Sequence, residues 1–278
     1  MRDAAHDVPV TSNAPEVDFR ALYDAHPDYV ARRRAGSYEQ AQVDLEVRLF
    51  KLPNLLRALP TPERVESVLE IGCATGELIA AMPVRAGGRR VGIDISEANI
   101  AAARTRFPGV EFRCGDFRES DGERFDVVVL SDVLEHVPDD AAFLRDAAEL
   151  ADTVLLNLPL EDNWLNRRRR YGPDDVSGHL RRYSLADGRA LVERAGLDLL
   201  AEARVWVHET DAEPARRRLR RDHAGAEFGG GPASRLLRRA VHRAAVAWPA
   251  FGRRLYASNL FVAASARERP SPGPRQAR

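Results

Sequence analysis

Short, unbroken apolar runs alternate along the chain with longer segments of helical periodicity. The runs fall at 67–72, 90–94, 110–113, 125–130 and 152–157. Each is rich in Val, Ile, Leu or Phe, the pattern of a strand covered on both faces. Between them, 76–83, 97–106 and 139–150 read as helices. Two later strands are expected at Leu197–Trp206 and Tyr256–Ser265. This order predicts an α/β fold, a doubly wound and mostly parallel Rossmann-like sheet of seven strands.

The flanks read differently. Asp18–Arg34 predicts a helix broken near His26-Pro27, and Ser37 with Gln40 makes a capping box for a second. Ala41, Leu45, Leu49 and Leu52 give that second helix an apolar face, which Pro53 kinks or ends and Leu55, Leu56 and Leu59 continue. Ser184 and Asp187 cap a helix that Gly196 terminates. The expected organisation is a loose tail at 1–17, a helical cap at 18–60 and a core at 61–208. A helical insert at 209–254, the last core strand at 255–266 and a Pro/Arg/Ser tail at 267–278 complete it.

Candidate chemistry gathers at the strand ends. Val68-Leu69-Glu70-Ile71-Gly72-Cys73-Ala74-Thr75-Gly76 reads as strand, tight turn and helix start, a nucleotide-type pocket. The spacing is Gly-x-x-x-Gly, with Ala74 where the dinucleotide fingerprint has its second glycine. Asp94 ends the second strand, 22 positions after Gly72, close to the separation at which an acidic side chain reaches a ribose diol. The third strand ends at Asp116-Phe117, and the fourth leads into Ser131-Asp132-Val133-Leu134-Glu135-His136.

These four motifs, in this order over residues 65–140, resemble class I S-adenosylmethionine-dependent methyltransferases, in the small-molecule group of the ubiquinone and sugar methyltransferases. The resemblance implies an antiparallel last strand and S-adenosyl-L-methionine as cofactor. It implies that Glu70, Gly72, Cys73, Ala74, Thr75 and Gly76 surround the methionine part. Asp94 would bind the ribose, with Ile95 against the adenine. Asp116 would accept from the adenine amine, with Phe117 beside the ring. Ser131, Asp132 and Val133 would line the floor below the sulfonium. The N-terminal helices would cover the cofactor, with Tyr23, Tyr29 and Tyr38 as candidates to line that cover. The implied reaction moves a methyl group to oxygen or nitrogen of a small-molecule acceptor, a secondary metabolite or a sugar or glycan precursor.

Candidate bases for an acceptor hydroxyl are His179, His136 and Glu161; His136 has a structural alternative as a wall residue and His179 as a hydrogen-bonding loop residue. The 158–178 connection, with Arg167–Arg170 and Tyr171, leaves the same sheet edge and should lie over the reaction site, or else form a solvated basic loop. Ser234–Trp248 reads as a basic amphipathic helix with Leu236, Leu237, Ala240, Val241, Ala244 and Trp248 on one face. That face suits its own domain, a second subunit in a homodimer, or weak contact with an anionic membrane surface.

Composition narrows the classes. Forty-two basic residues balance 42 acidic ones, so no global field recruits nucleic acid, and no nucleic-acid partner is expected. Lys51 is the only lysine, a bias read as a mark of a GC-rich genome. Two cysteines read as reduced thiols, no metal-ligand spacing stands out, and Met1–Asn13 lacks the apolar core of a signal peptide. These point to a cytoplasmic protein. The alternatives are a catalytically silent methyltransferase-like binding module and a dinucleotide-binding oxidoreductase, the latter disfavoured by Ala74 and Asp116.

Overall fold

In the computed structural model, seven strands form one sheet. They are β1 (Ser67–Ile71), β2 (Arg89–Asp94), β3 (Glu111–Cys114), β4 (Phe125–Ser131), β5 (Ala151–Leu160), β6 (Leu197–Val205) and β7 (Ser258–Ala266). The order is β3-β2-β1-β4-β5-β7-β6; β1 to β5 pair in parallel and β7 runs antiparallel to both neighbours. The structure describes residues 18–119, 122–172, 175, 177–222 and 232–266. Both tails expected at the ends lie outside these residues.

Alternation along the strands sorts side chains to two faces. Val128 and Leu130 join Leu69, Ile71, Val91, Ile93 and Leu144 in one core, whereas Val127 and Val129 join Val68, Phe50, Leu55, Ile79 and Phe261 in the other. Both faces are dry, which is why the central strands read as continuous apolar runs.

Helices α1 (Phe19–Ala25), α2 (Pro27–Arg32), α3 (Tyr38–Glu46) and α4 (Leu52–Ala58) precede the sheet. The expected break before Pro27 separates α1 from α2. Ser37 caps α3 by accepting from the Gln40 amide, but Gln40 returns its bond to the Gly36 amide. At Pro53 the helical path does not end: a π-helical turn, Val47–Lys51, carries α3 into α4. Helices α5 (Glu77–Ala81), α6 (Glu97–Arg106), α7 (Asp140–Ala148) and α8 (Leu185–Arg194) lie within the strand alternation. The Ser184/Asp187 capping box is present, and Gly196 closes α8 at φ 77°. Between β3 and β4 there is only a 3₁₀ turn, Phe117–Glu119, among the described residues.

Between β6 and β7 lie α9 (Ala212–Asp222), α10 (Pro232–Ala247) and α11 (Pro249–Leu255). On α10, Ala245 is buried, while Leu236, Leu237 and, just past the helix end, Trp248 stand in solvent.

Candidate active site

The turn after β1 is bent by three left-handed residues, Gly72 (φ 75°), Ala74 (φ 47°) and Gly76 (φ 85°). The amides of Gly72 and Cys73 both donate to the Ile93 carbonyl, at 2.8 and 3.0 Å, tying the turn to β2. The glycines admit protein rather than leaving a gap. A Cβ on Gly72 would lie 2.6 Å from Val133, and one on Gly76 would lie 2.6 Å from the Phe112 ring. Thr75 and Cys73 are buried, and burial pushes the Cys73 thiol well up, leaving it inert.

Three carboxylates end the first three strands. Glu70 is buried, and one of its carboxylate oxygens has no partner. Burial pushes its carboxyl up to about 8. Asp94 accepts from the Ala74 amide at 2.8 Å and from the Ser96 amide at 2.9 Å, so it fixes both its own loop and the glycine turn. Burial raises its pKa, against these donors and Asn99. Asp116 is instead held by Arg118, whose Nε lies 3.0 Å from Oδ1, and this guanidinium keeps the carboxyl low. Phe117 is buried against Phe143, with ring centroids 4.9 Å apart, so its ring belongs to the core; Ile95 is half-buried beside Asp94.

At the end of β4, Asp132 takes the left-handed conformation (φ 56°). Its side chain accepts from Ser131 Oγ at 3.1 Å and from Asn157 Nδ2 at 3.0 Å. Asn157 is in turn bonded by Asn259 at 2.8 Å, so β4, β5 and β7 jointly hold Asp132. Lys51 Nζ lies 2.7 Å from Asp132, and Val133 packs on Gly72. Burial would lower the Lys51 pKa, but Asp132 and Glu46 outweigh it and keep the ammonium charged.

The segment after β5 folds back over the same edge. Glu161 accepts from Arg169 at 2.6 Å and lies 2.8 Å from His179 Nδ1. Arg169 is held on its other side by Asp175. His136 packs edge-to-face on His179, with centroids 4.8 Å apart, and its Nδ1 is 3.0 Å from the Gly178 carbonyl. Burial, with His179 beside it, lowers the His136 pKa to about 4. All three candidate bases therefore converge. Of the arginine run, Arg169 is drawn into this network.

Helices α1 and α2 close over the crevice. The Tyr23 ring meets His136 at 5.8 Å and Tyr29 at 5.2 Å, and Arg33 bonds Asn99 on α6 at 2.9 Å. Asp24 bonds Ser96. Tyr29 sits among the charges of Asp94, Asp132, Lys51 and Arg32. Tyr38 lies at the start of α3.

Glu135 stood in the motif after β4 and Arg169 in the arginine run, but neither was given a role of its own, and Lys51 was read only as a compositional bias; Asn157 and Asp175 were not singled out from sequence.

Comparison with known proteins gives the same picture. The family model described as "Methyltransferase domain" matches residues 41–202, more than half of the 278-residue chain. A ubiquinone biosynthesis O-methyltransferase of Rhodopseudomonas palustris (strain BisB5) is 40% identical over 104 residues, 35% of this chain and 41% of that protein. One of Neisseria meningitidis serogroup C (strain 053442) is 35% identical over 95 residues, 31% of this chain and 40% of its own length. The chain thus matches about two fifths of these relatives. Among solved structures, magnesium protoporphyrin IX methyltransferase of Synechocystis PCC 6803, with bound SAM, superposes with a TM-score of 0.52 at 17% identity, covering 91% of this chain and all of that one. The [4+2]-cyclase SpnF gives 0.56 at 16% identity, covering 89% and 95%. Those likenesses show the fold. With the family model spanning the end of the cap, the glycine turn and the sheet through Glu202, the chain belongs to the methyltransferase domain family.

Proposed function

We propose that the chain is an S-adenosyl-L-methionine-dependent methyltransferase acting on an oxygen of a small-molecule acceptor. The observation that carries this reading is the buried carboxylate pair around the glycine turn, Glu70 and Asp94, within a methyltransferase domain. The unpartnered Glu70 oxygen suits an ammonium, as on the methionine end of the cofactor. Asp94 spends one bond per oxygen on backbone amides, and an ionised carboxylate has lone pairs left for a ribose diol. When bound, the cofactor supplies a methyl group on a sulfonium, already joined to its leaving group.

The residues supply binding, orientation and shielding. Asp132, fixed by Ser131, Asn157 and Lys51, offers negative charge at the floor. Tyr23 and Tyr29 shield the crevice from water. Asp116 would reach the adenine amine only by sharing its carboxylate with Arg118. The choice of oxygen over nitrogen rests on the names of the similar curated proteins.

The exposed Leu236 and Leu237 of α10, with Trp248 just past its end, support a contact with a second copy or with an anionic surface, outside the reaction. No helix among the described residues is long and apolar enough to cross a membrane.

The test is separate titration with S-adenosylhomocysteine and NADH, followed by methyl transfer assayed over phenols, amines and sugar nucleotides. Binding of S-adenosylhomocysteine with methylation of a hydroxyl supports the reading. Binding of NADH alone would replace it with an oxidoreductase, and cofactor binding without transfer to any acceptor would favour a silent module.

A further inference from the structure

We infer that His208, Glu213 and His242 form a binding site for a zinc-class divalent ion, which cross-links the end of β6 to helices α9 and α10. These residues follow the 41–202 segment matched by the family model, and the inference does not depend on the methyltransferase reading.

Three elements bring the ligands together. His208 stands in the 3₁₀ turn after β6 (Val207–Glu209), Glu213 in the first turn of α9 and His242 on α10. One ligand atom from each lies within 4.8 Å of the other two, and His208 Nδ1 is 3.6 Å from a Glu213 oxygen. Ligand atoms around a tetrahedral ion, with bonds of about 2.0–2.1 Å, stand about 3.3 Å apart. The His208–Glu213 pair already has nearly that spacing, and a closure of at most about 1.5 Å by side-chain rotation completes the set. No sequence motif announced it, because His242 follows Glu213 by 29 positions and arrives on a separate helix.

His208 carries the first support. Its Nδ1 is buried and has no hydrogen-bond partner, a state that buried polar atoms seldom keep. Its ring packs on buried Trp206, with centroids 4.3 Å apart, and beside Tyr256 at 5.8 Å. Burial lowers the His208 pKa to about 4, and burial with Arg217 lowers that of His242. Both imidazoles are therefore neutral at pH 7 and keep a lone pair for a ligand bond.

Arg217 is the second. Its Nε donates to a Glu213 oxygen at 2.7 Å, and its guanidinium also contacts His242 Nε2. A guanidinium offers no lone pair, so His242 turns its own lone pair toward the point that the carboxylate faces. A cation already occupies that point. Arg217 is 53% exposed and can swing into solvent, whereas His208 and Glu213 are 13% and 12% exposed and stay. An ion takes the guanidinium's place. Its fourth position opens on a cavity of about 400 Å³, lined also by Thr210, with room for water. Two imidazoles and one carboxylate suit Zn²⁺ or Co²⁺ better than Ca²⁺ or Mg²⁺, which prefer oxygen throughout.

The ion's role is structural. Helix α9 packs on α3 and bonds it through Arg216 and Glu46, so an ion shared with α10 ties that helix to the same frame.

The test uses the full chain, stripped with EDTA and dialysed, then titrated with Co²⁺ by visible absorption and with Zn²⁺ by calorimetry. Affinity should fall about 10–100-fold or more in His208→Ala and in His242→Ala, and stay unchanged in His179→Ala. Arg217→Ala should bind about two- to fivefold more tightly, the worth of the exposed ion pair that the ion must break. Zn²⁺ should raise the melting temperature of the wild type and leave that of His242→Ala unmoved. Circular dichroism checks that each variant is folded; if His208→Ala is not, His242→Ala and Arg217→Ala decide. No ion bound by the wild type overturns the site. So does an ion that His242→Ala keeps at full affinity, whether or not His179→Ala loses it, or weaker binding in a folded Arg217→Ala.

Discussion

Cofactor binding should expel a proton from Glu70. Burial pushes this carboxyl up to about 8, so at pH 7 about nine molecules in ten hold it neutral. A cofactor ammonium beside the unpartnered oxygen would favour the ionised form, and an opposite charge at that range lowers a pKa by about 1–3 units. A fall of about two units, to ~6, releases about 0.8 proton per site at pH 7 and almost none at pH 9.5. Titration calorimetry with S-adenosylhomocysteine in phosphate and in Tris reads this number as the slope of heat against buffer ionisation enthalpy. Glu70→Gln should bring the slope close to zero. A flat wild-type response at pH 7, or the same slope in Glu70→Gln, would refute the ammonium contact. The free protein gives a matching sign. An acid raised from 4.5 to about 8 contributes stability that is full below pH 4.5 and lost as pH rises through 8. Glu70→Gln should remove that part of the pH dependence.

Three further outcomes follow from packing and pairing. Gly76→Ala combines φ 85° with an overlap on Phe112 and should cost about 2–4 kcal/mol in urea unfolding. Lys51→Met leaves Asp132 without its ammonium partner; about 2 kcal/mol of stability should go, with a fall in turnover. Tyr183→Phe removes a 2.8 Å bond to Asp140, which keeps Arg194 at 2.9 Å, so thermal melting should report a loss of only about 1 kcal/mol.

The sheet was legible because its signals are local. The runs at Val127–Leu130 and Val154–Leu156 are apolar on both faces, and Ser184 and Gly196 mark the ends of α8 within a few residues. The glycine turn and Asp94 were equally plain, since a strand, a turn and a carboxylate at fixed separation leave a spacing to read. What escaped is non-local. Lys51 reaches Asp132 across 81 positions through a π-helical turn that no periodicity announces. His179 meets His136 only because the segment after β5 doubles back. Asp116 looked equivalent to Asp94 as a strand-end acid, but Arg118 two residues on captures its carboxylate. On α10 the helix was readable and its buried residue Ala245 was not, because α10 packs on α11, a contact that its own composition does not mark.

The most direct test of the central claim is S-adenosylhomocysteine affinity in the wild type, Asp94→Asn and Asp94→Ala. A charge-assisted bond to the ribose is worth about 1.5–3 kcal/mol, so affinity should fall roughly 10–150-fold in Asp94→Asn, which keeps the side chain's shape, and at least as far in Asp94→Ala. Equal affinity in all three proteins, each folded by circular dichroism, would contradict a cofactor held at the tip of β2.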